Sequence, residues 1–279
     1  MFCSNKNIAC TSQRYVSLLS FPRCVERSNF NVHMHRKIRM QWVCRILVFT
    51  ELFLLANSMS SASSEIIRLR NFGMQQRDLE SHKGLRRASV LVPLFRKDDD
   101  KLHVLLTQRP LHMKAHPGEV CFPGGKQDPE DEADDVETAL REAWEEVGLE
   151  RASIESICRL ATVESKGGLC VTPIVALLEP PDSKQLKVCK DEVEAVLTVP
   201  IEFFLERSGN LADKCDVPWS RGMFTVRTYF YQDEEDKEFK ISGLTAYVLH
   251  QVACLAIDGS LDEEEPAARL AVGKISALL

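Results

Sequence analysis

Glu142, Glu145 and Glu146 stand at i, i+3 and i+4 within Arg141-Glu142-Ala143-Trp144-Glu145-Glu146-Val147-Gly148-Leu149. On a helix, that spacing makes three carboxylates neighbours on one surface, where like charges repel. A helix that carries them needs a cation close by. Carboxylate oxygens on a compact face suit a hard divalent ion, Mg²⁺ or Mn²⁺, completed by water and phosphate oxygens. Without such an ion, mutual repulsion should raise at least one of the three pKa values. A solvated acidic face is the ordinary alternative for a glutamate triplet, and the residues upstream argue against it. Gly124-Gly125 directly follow the strand-like Val120–Pro123. Two glycines let a backbone turn sharply and bring a carbonyl close to a metal or a phosphate. Arg141 can pair with one carboxylate and orient it.

These groups need a scaffold, and the hydrophobic pattern supplies one. The runs 88–95 and 102–108 are β-type and flank the charged turn Arg96–Lys101, as in a hairpin. An acidic loop, Asp128–Asp135, leads into a helix from about Val136 to Val147, closed by Gly148. Val136, Ala139, Leu140, Ala143 and Val147 form its buried stripe. Strands are expected at 154–163, 169–178 and 192–200, the last followed by the apolar turn 201–205. A hairpin is expected from 223–231 and 238–241. A final helix over 243–257 has Leu244, Val248, Val252 and Leu255 on its core face. The fold class is α+β, a mixed sheet flanked by helices.

Gly125 and the segment Arg141–Leu149 together resemble the Nudix box, G-x5-E-x7-R-E-U-x-E-E-x-G-U, where U is aliphatic. The second half matches with Ala143 as the small apolar U. In the first half the sixth residue after Gly125 is Asp131 rather than Glu, and nine residues separate it from Arg141. Leu105-Leu106-Thr107-Gln108-Arg109, Gly118 and Phe122-Pro123-Gly124-Gly125 are similar to the L-L-T-x-R-[SA]-x3-R-x3-G-x3-F-P-G-G motif of coenzyme A diphosphatases. Pro110 replaces the Ser/Ala, and Lys114 stands for the second Arg, keeping the charge but losing the planar fork. The likeness is closest to the peroxisomal coenzyme A diphosphatase branch, and it covers roughly residues 88–255.

The resemblance implies a Nudix-type α/β/α sandwich and hydrolysis of the diphosphate of coenzyme A or its thioesters. The products would be 3′,5′-ADP and (acyl-)4′-phosphopantetheine. Glu142, Glu145, Glu146 and the Gly125 carbonyl would hold two or more Mg²⁺ or Mn²⁺ ions. One of the glutamates, or Glu192 from the later strand, would accept the proton of the attacking water. Arg109, Lys114 and Lys126 are the candidates for gripping phosphate, with Gly118 and Gly124 shaping the loop; Arg141 and Gly148 are structural in the motif. His116 reads as a satisfied loop histidine and Phe122 as core. Two alternatives stay open: a Nudix pyrophosphatase for another nucleoside diphosphate derivative such as ADP-ribose or NADH, and a non-catalytic CoA- or nucleotide-binding Nudix protein.

Composition sets the outer limits. The 279 residues are 44% hydrophobic and 27% charged, ordinary for a globular chain, so collagen-like and wholly disordered readings fall away. Residues 1–58 hold eight basic residues and two acidic ones, a net +6, which leaves −12 for the remainder. Their Arg- and Ser-containing, acid-poor composition is that of a mitochondrial targeting peptide. A secretory signal starting at Met40, or a dispensable extension with the working start at Met59 or Met74, are the alternatives. The apolar run 42–56 is short for a bilayer and carries Arg45 and Glu51, so no membrane span is expected. Residues 59–87 read as a linker or short helix, 88–257 as the Nudix domain, and 258–279 as a solvated acidic tail. The last residues, Ser276-Ala277-Leu278-Leu279, are no SKL-type peroxisomal address, so the branch suggests the peroxisome and the N-terminus the mitochondrion. The ten cysteines include no C-x-x-C pair, which argues against a zinc site or a disulfide framework. An acidic globular part without a basic stripe argues against nucleic acid. The sequence leaves the oligomeric state open.

Overall fold

The computed structural model describes residues 64–73, 84–165, 167–181, 186–219 and 222–262. The expected N-terminal extension therefore lies outside the described residues, as does most of the acidic tail. The strands are β1 Arg86–Arg96, β2 Leu102–Gln108, β3 Val120–Cys121, β4 Gly124–Lys126, β5 Ile154–Arg159, β6 Val163–Glu164, β7 Leu169–Leu178, β8 Ala195–Pro200, β9 Leu211–Trp219, β10 Gly222–Gln232 and β11 Glu238–Ser242. The helices are α1 over 64–72, α2 Asp135–Val147 and α3 Gly243–Ala253.

The main sheet is mixed. β1 and β7 pair in parallel over nine residues from Arg86↔Leu169 to Leu94↔Leu177, and the other pairings are antiparallel, with β2 carrying β3 and β8. Both faces are covered, so β1 and β7 read as nearly continuous apolar runs. Alternation divides them between two cores. Leu91, Ile174 and Ala176 pack under Ala139, Ala143 and Val147 of α2. Val92, Leu94 and Val175 belong to the larger core with Leu69 of α1, Val248 and Val252 of α3, and Tyr229, Phe239 and Ile241 of β10 and β11. The architecture is the expected α+β one, a mixed sheet with helices on its two faces.

Four local expectations change. The 154–163 strand is two strands: a bulge falls between Ser156 and Cys158, and Leu160 leaves the β5 ladder before pairing resumes at β6. The strand expected to start at Glu192 starts at Ala195, leaving Glu192 in a turn. The 243–257 helix is α-helical only to Ala253 and widens into a π turn over Cys254–Asp258, closed by Gly259 at φ 82°. β9 gave no strand signal, because Leu211–Trp219 is an edge strand with an almost wholly exposed or half-exposed pattern; period-2 alternation needs one buried face to be visible.

The flanks are also tied down more firmly than their composition suggested. Arg68 of α1 donates to the Ala256 and Ile257 carbonyls at 2.9 and 2.6 Å, and Leu69 is fully buried. The start of the acidic tail is not simply solvated: Asp258 pairs with Arg207 at 2.7 Å and Asp262 with Arg227 at 3.2 Å. No helix among the described residues is long and apolar enough to cross a membrane.

Candidate active site

The acidic helix is built from both ends. Asp134 caps its start by accepting the Val136 N–H at 2.9 Å. Gly148 ends it in the left-handed region at φ 73°, with its own N–H on the Trp144 carbonyl, the bond of an αL closure. A side chain at Gly148 would meet the Cβ of Lys187 at 2.8 Å. Lys187 is there because its N–H donates to the Val147 carbonyl; the Cys189 N–H likewise donates to the Glu146 carbonyl. These two bonds fasten residues 186–193 along the C-terminal end of α2, and so set the position of Glu192. Nothing in the residue types of that loop announced the attachment, which is made by main-chain atoms.

The three helix glutamates are not equivalent. Glu146 is only 4% exposed and accepts the Gly124 N–H at 3.3 Å. Glu142 is turned the same way, with its side chain 16% exposed. Glu145 points outward, 51% exposed, toward Arg141 Nη1 at 3.0 Å. Arg141 ties the group together. Its Nε and Nη2 donate to the two oxygens of Asp131 at 2.9 and 3.1 Å, and Nη2 also reaches Glu142 Oε1 at 3.0 Å and the Lys126 carbonyl at 3.0 Å. Asp131 is held in turn by the Thr138 hydroxyl at 2.9 Å and the Asp128 N–H at 2.8 Å. The Arg141 guanidinium, with the Asp128 N–H and the Thr138 hydroxyl, holds the Asp131 carboxyl down at about 2 against the cost of burial. The longer acidic loop is taken up beside it by two successive left-handed residues, Glu132 at φ 49° and Ala133 at φ 60°. The loop thus lengthens while Asp131 still reaches Arg141.

The glycine pair explains itself sterically. Gly124 sits at φ 153°, where an added Cβ would fall 2.5 Å from the Ser89 carbonyl and 2.6 Å from Val90 Cα. At Gly125 the Cβ would fall 2.5 Å from both carboxylate oxygens of Glu142. The space a methyl would fill is where Glu142 lies against the turn. Burial pushes the Glu146 carboxyl up to about 8, Glu142 and Glu192 add to the rise, and the Gly124 N–H and Arg109 oppose it. Glu142 is also raised, again chiefly by burial, with Arg141 lowering it and Glu145 and Glu192 raising it. The expected rise is present, but desolvation leads and repulsion only adds. Carboxylate oxygens of Glu146, buried, and of Glu142, half-buried, each disfavoured in its charged form chiefly by burial, have the donor chemistry of a divalent-cation site.

Glu192 is exposed and comes from its turn into electrostatic reach of both Glu142 and Glu146. Arg109 is within such reach of Glu146 and of the Cys121 thiol. The segment after it closes on itself: the Arg109 N–H donates to the Glu119 carbonyl at 3.0 Å, and the Gly118 N–H to the Arg109 carbonyl at 3.1 Å. Gly118 takes φ 73° with Leu111 Cδ2 close beside it. Lys114 and Lys126 have exposed side chains, and among the described residues neither pairs with the glutamate group. His116 is exposed and bonded to Glu119 at 2.9 Å, and Phe122 is core. Thr107 and Cys121 face each other 3.4 Å apart across β2 and β3; Thr107 belongs to the motif read from the sequence, whereas Cys121 was given no role there.

A profile of the NUDIX domain matches residues 85–219. Nudix hydrolase 15, mitochondrial, of Arabidopsis thaliana is 36% identical over 173 residues, covering 62% of this chain and 59% of that protein. Peroxisomal coenzyme A diphosphatase NUDT7 of Mus musculus is 36% identical over 181 residues, covering 64% of this chain and 74% of that protein. The uncharacterized Nudix hydrolase NudL of Photorhabdus laumondii is 39% identical over 168 residues, or 60% of this chain and 83% of its own length. The matched stretch contains the helix, its glycine turn and the loop that follows Arg109, and at this identity over such shares of its relatives the chain belongs to the Nudix hydrolase family.

Proposed function

We propose that the protein hydrolyses the diphosphate of coenzyme A, acyl-CoA and related thioesters to 3′,5′-ADP and (acyl-)4′-phosphopantetheine. The observation that carries this reading is the closed loop from Arg109 to Glu119, which brings Arg109 and Gly124 of the L-L-T-x-R…F-P-G-G motif to Glu146. The mouse relative named for coenzyme A diphosphatase activity supports it. Glu142, Glu145, Glu146 and the Gly125 carbonyl would hold Mg²⁺ or Mn²⁺, two or more ions. Bound there, they supply neutralisation of the diphosphate and a more acidic water.

The chain's own residues do the rest. Arg141, fixed by Asp131, keeps the Glu142 and Glu145 carboxylates from turning away. Arg109 binds a phosphate oxygen, with the fork of its guanidinium suited to two. Lys114 and Lys126, exposed at the rim, raise the local concentration of an anionic substrate on an otherwise acidic surface. Among Glu145, Glu146 and Glu192, Glu192 is best placed to accept the water proton on a carboxylate oxygen. It stands on a loop of its own, exposed, and faces the two inward glutamates.

The test is a substrate panel. With Mg²⁺ or Mn²⁺ supplied, CoA and an acyl-CoA should release 3′,5′-ADP, seen by chromatography, faster than ADP-ribose or NADH is cleaved. Inert CoA and acyl-CoA beside cleaved ADP-ribose would overturn the reading in favour of another nucleoside diphosphate derivative.

A further inference from the structure

Lys237 lies beyond the family-matched segment, in the turn between β10 and β11, yet it reaches the foot of the Arg109–Glu119 loop. Its Nζ donates to Gln108 Oε1 at 3.2 Å and sits 4.7 Å from the centre of the Phe239 ring. The Gln108 amide is itself oriented, because its Nε2 donates to the Gly118 carbonyl at 3.3 Å. The turn fixes Lys237 from behind: Asp233 Oδ1 accepts the Lys237 N–H at 2.9 Å, and the Asp233 N–H donates to the Lys237 carbonyl at 3.1 Å. Two of the neighbouring carboxylates, Asp233 and Glu234, are engaged elsewhere. Asp233 caps the turn's own N–H groups, and Glu234 reaches Lys97 at 3.5 Å. An ammonium has three N–H donors. One is spent on a neutral amide and the ring takes part of the charge. Among the described residues the cation makes no ion pair, so it is positioned without a counter-charge bonded to it.

Its place matters as much as its state. Gln108 is the last residue of β2, and Arg109 follows it. Successive side chains leave a strand on opposite sides, so Lys237, held on Gln108, and Arg109 flank one strand end. The Glu194 N–H on the Gln108 carbonyl, at 2.8 Å, joins that strand end to the loop carrying Glu192. A substrate whose diphosphate meets Arg109 would have to carry a second anionic group to meet Lys237.

We infer that Lys237, held by Gln108 and Phe239, is a specificity-determining residue that receives a phosphate separate from the diphosphate. On the coenzyme A reading, on which this rests, that group is the ribose 3′-phosphate. The test uses 3′,5′-ADP and 5′-AMP as calorimetric probes of the full chain. The wild type should prefer the bisphosphate. Lys237→Gln should cut the ratio of the two affinities roughly tenfold, the scale of one charge-assisted contact, and Lys237→Arg should keep most of it. A wild type with no preference, or a ratio that survives Lys237→Gln, overturns the inference. Hydrolysis of CoA against dephospho-CoA is read separately. If CoA is cleaved but Lys237→Gln raises KM equally for both, Lys237 does not read the 3′-phosphate. If the wild type cleaves neither, the coenzyme A reading itself fails, and the calorimetric ratio still decides whether Lys237 senses a second phosphate.

Discussion

Two clusters of carboxylates, each with an arginine, sit in this molecule and behave oppositely. In the first, Glu146 is buried and Glu142 half-buried, while Arg141 stands to one side, engaged with Asp131. In the second, Glu206, His250 and Asp262 bring their ligand atoms within 4.8 Å of one another, a spacing that would also suit a metal. There, however, the fully buried Arg227 guanidinium occupies the middle, at 2.8 Å from Glu206 and 3.2 Å from Asp262. The His250 ring nitrogens face the Phe204 carbonyl and the Asp262 carboxylate at 2.9 and 3.1 Å. The electrostatic outcome follows burial together with the cations within reach. Against partial desolvation, the exposed Glu206 is lowered by Lys214 and Arg227, whereas buried Glu146 rises to about 8. Where the chain supplies its own central cation, the carboxylates are structural. Where it does not, as beside Glu146, we expect the cation to come from solution.

The largest effect that would break this contrast is on turnover. Glu146→Gln should reduce kcat by about two to four orders of magnitude, the several kcal/mol a Lewis acid contributes. It should leave stability without divalent ions at or above that of the wild type, since it removes a carboxylate whose charged form burial disfavours. Added Mg²⁺ should raise the Tm of the wild type but not of the variant. Steady-state kinetics and thermal melts check both; a variant that keeps wild-type kcat would mean Glu146 holds no metal.

Arg227→Ala should do the reverse. It removes the buried counter-charge of Glu206 and Asp262, which costs about 3 kcal/mol in urea unfolding, and added divalent ions should not restore the loss. Recovery of stability with Mg²⁺ or Mn²⁺ would mean the second cluster is also a cation site and the contrast is false.

These two clusters also differ in how far the sequence discloses them. The glutamate helix was legible because its residues are close in the chain, so the spacing of Glu142, Glu145 and Glu146 and the stops at Asp134 and Gly148 express the geometry directly. The second cluster draws Glu206, Arg227, His250 and Asp262 from four separate segments, and only the tertiary fold makes them neighbours. The same reason hid the Lys187 and Cys189 attachment that positions Glu192, and Lys237 beside Gln108. Even on the helix, spacing did not disclose which glutamates face inward. That depends on the sheet beneath, where β1 meets the glycine turn at Val90↔Gly124 and Ser89↔Gly125.

A smaller effect tests the support of the first cluster. Asp131 is folded with a carboxyl at about 2, below its ordinary 3.8. A depressed carboxyl contributes stability above its unfolded pKa and loses it as pH falls toward the folded one. Asp131→Asn should therefore cost about 2 kcal/mol at neutral pH. The gap from wild type should shrink between pH 4 and pH 2 in urea titrations. A gap that stays constant through that range would separate Arg141 from Asp131 as its anchor.

The smallest expected effect belongs to Glu206→Gln. Its side chain is 41% exposed, and water already screens its pairs with Lys214 at 2.7 Å and Arg227 at 2.8 Å. Removing its charge leaves Arg227 facing Asp262 and still able to bond the new amide oxygen. The cost should stay under about 1 kcal/mol, the range of exposed ion pairs, with kcat as in the wild type. Glu142→Gln is the matched change in the first cluster, also a loss of one carboxylate charge beside an arginine, and there turnover should collapse while stability barely moves. If the two substitutions instead gave the same pattern, the position of the arginine would not decide which carboxylates hold the fold and which await a metal.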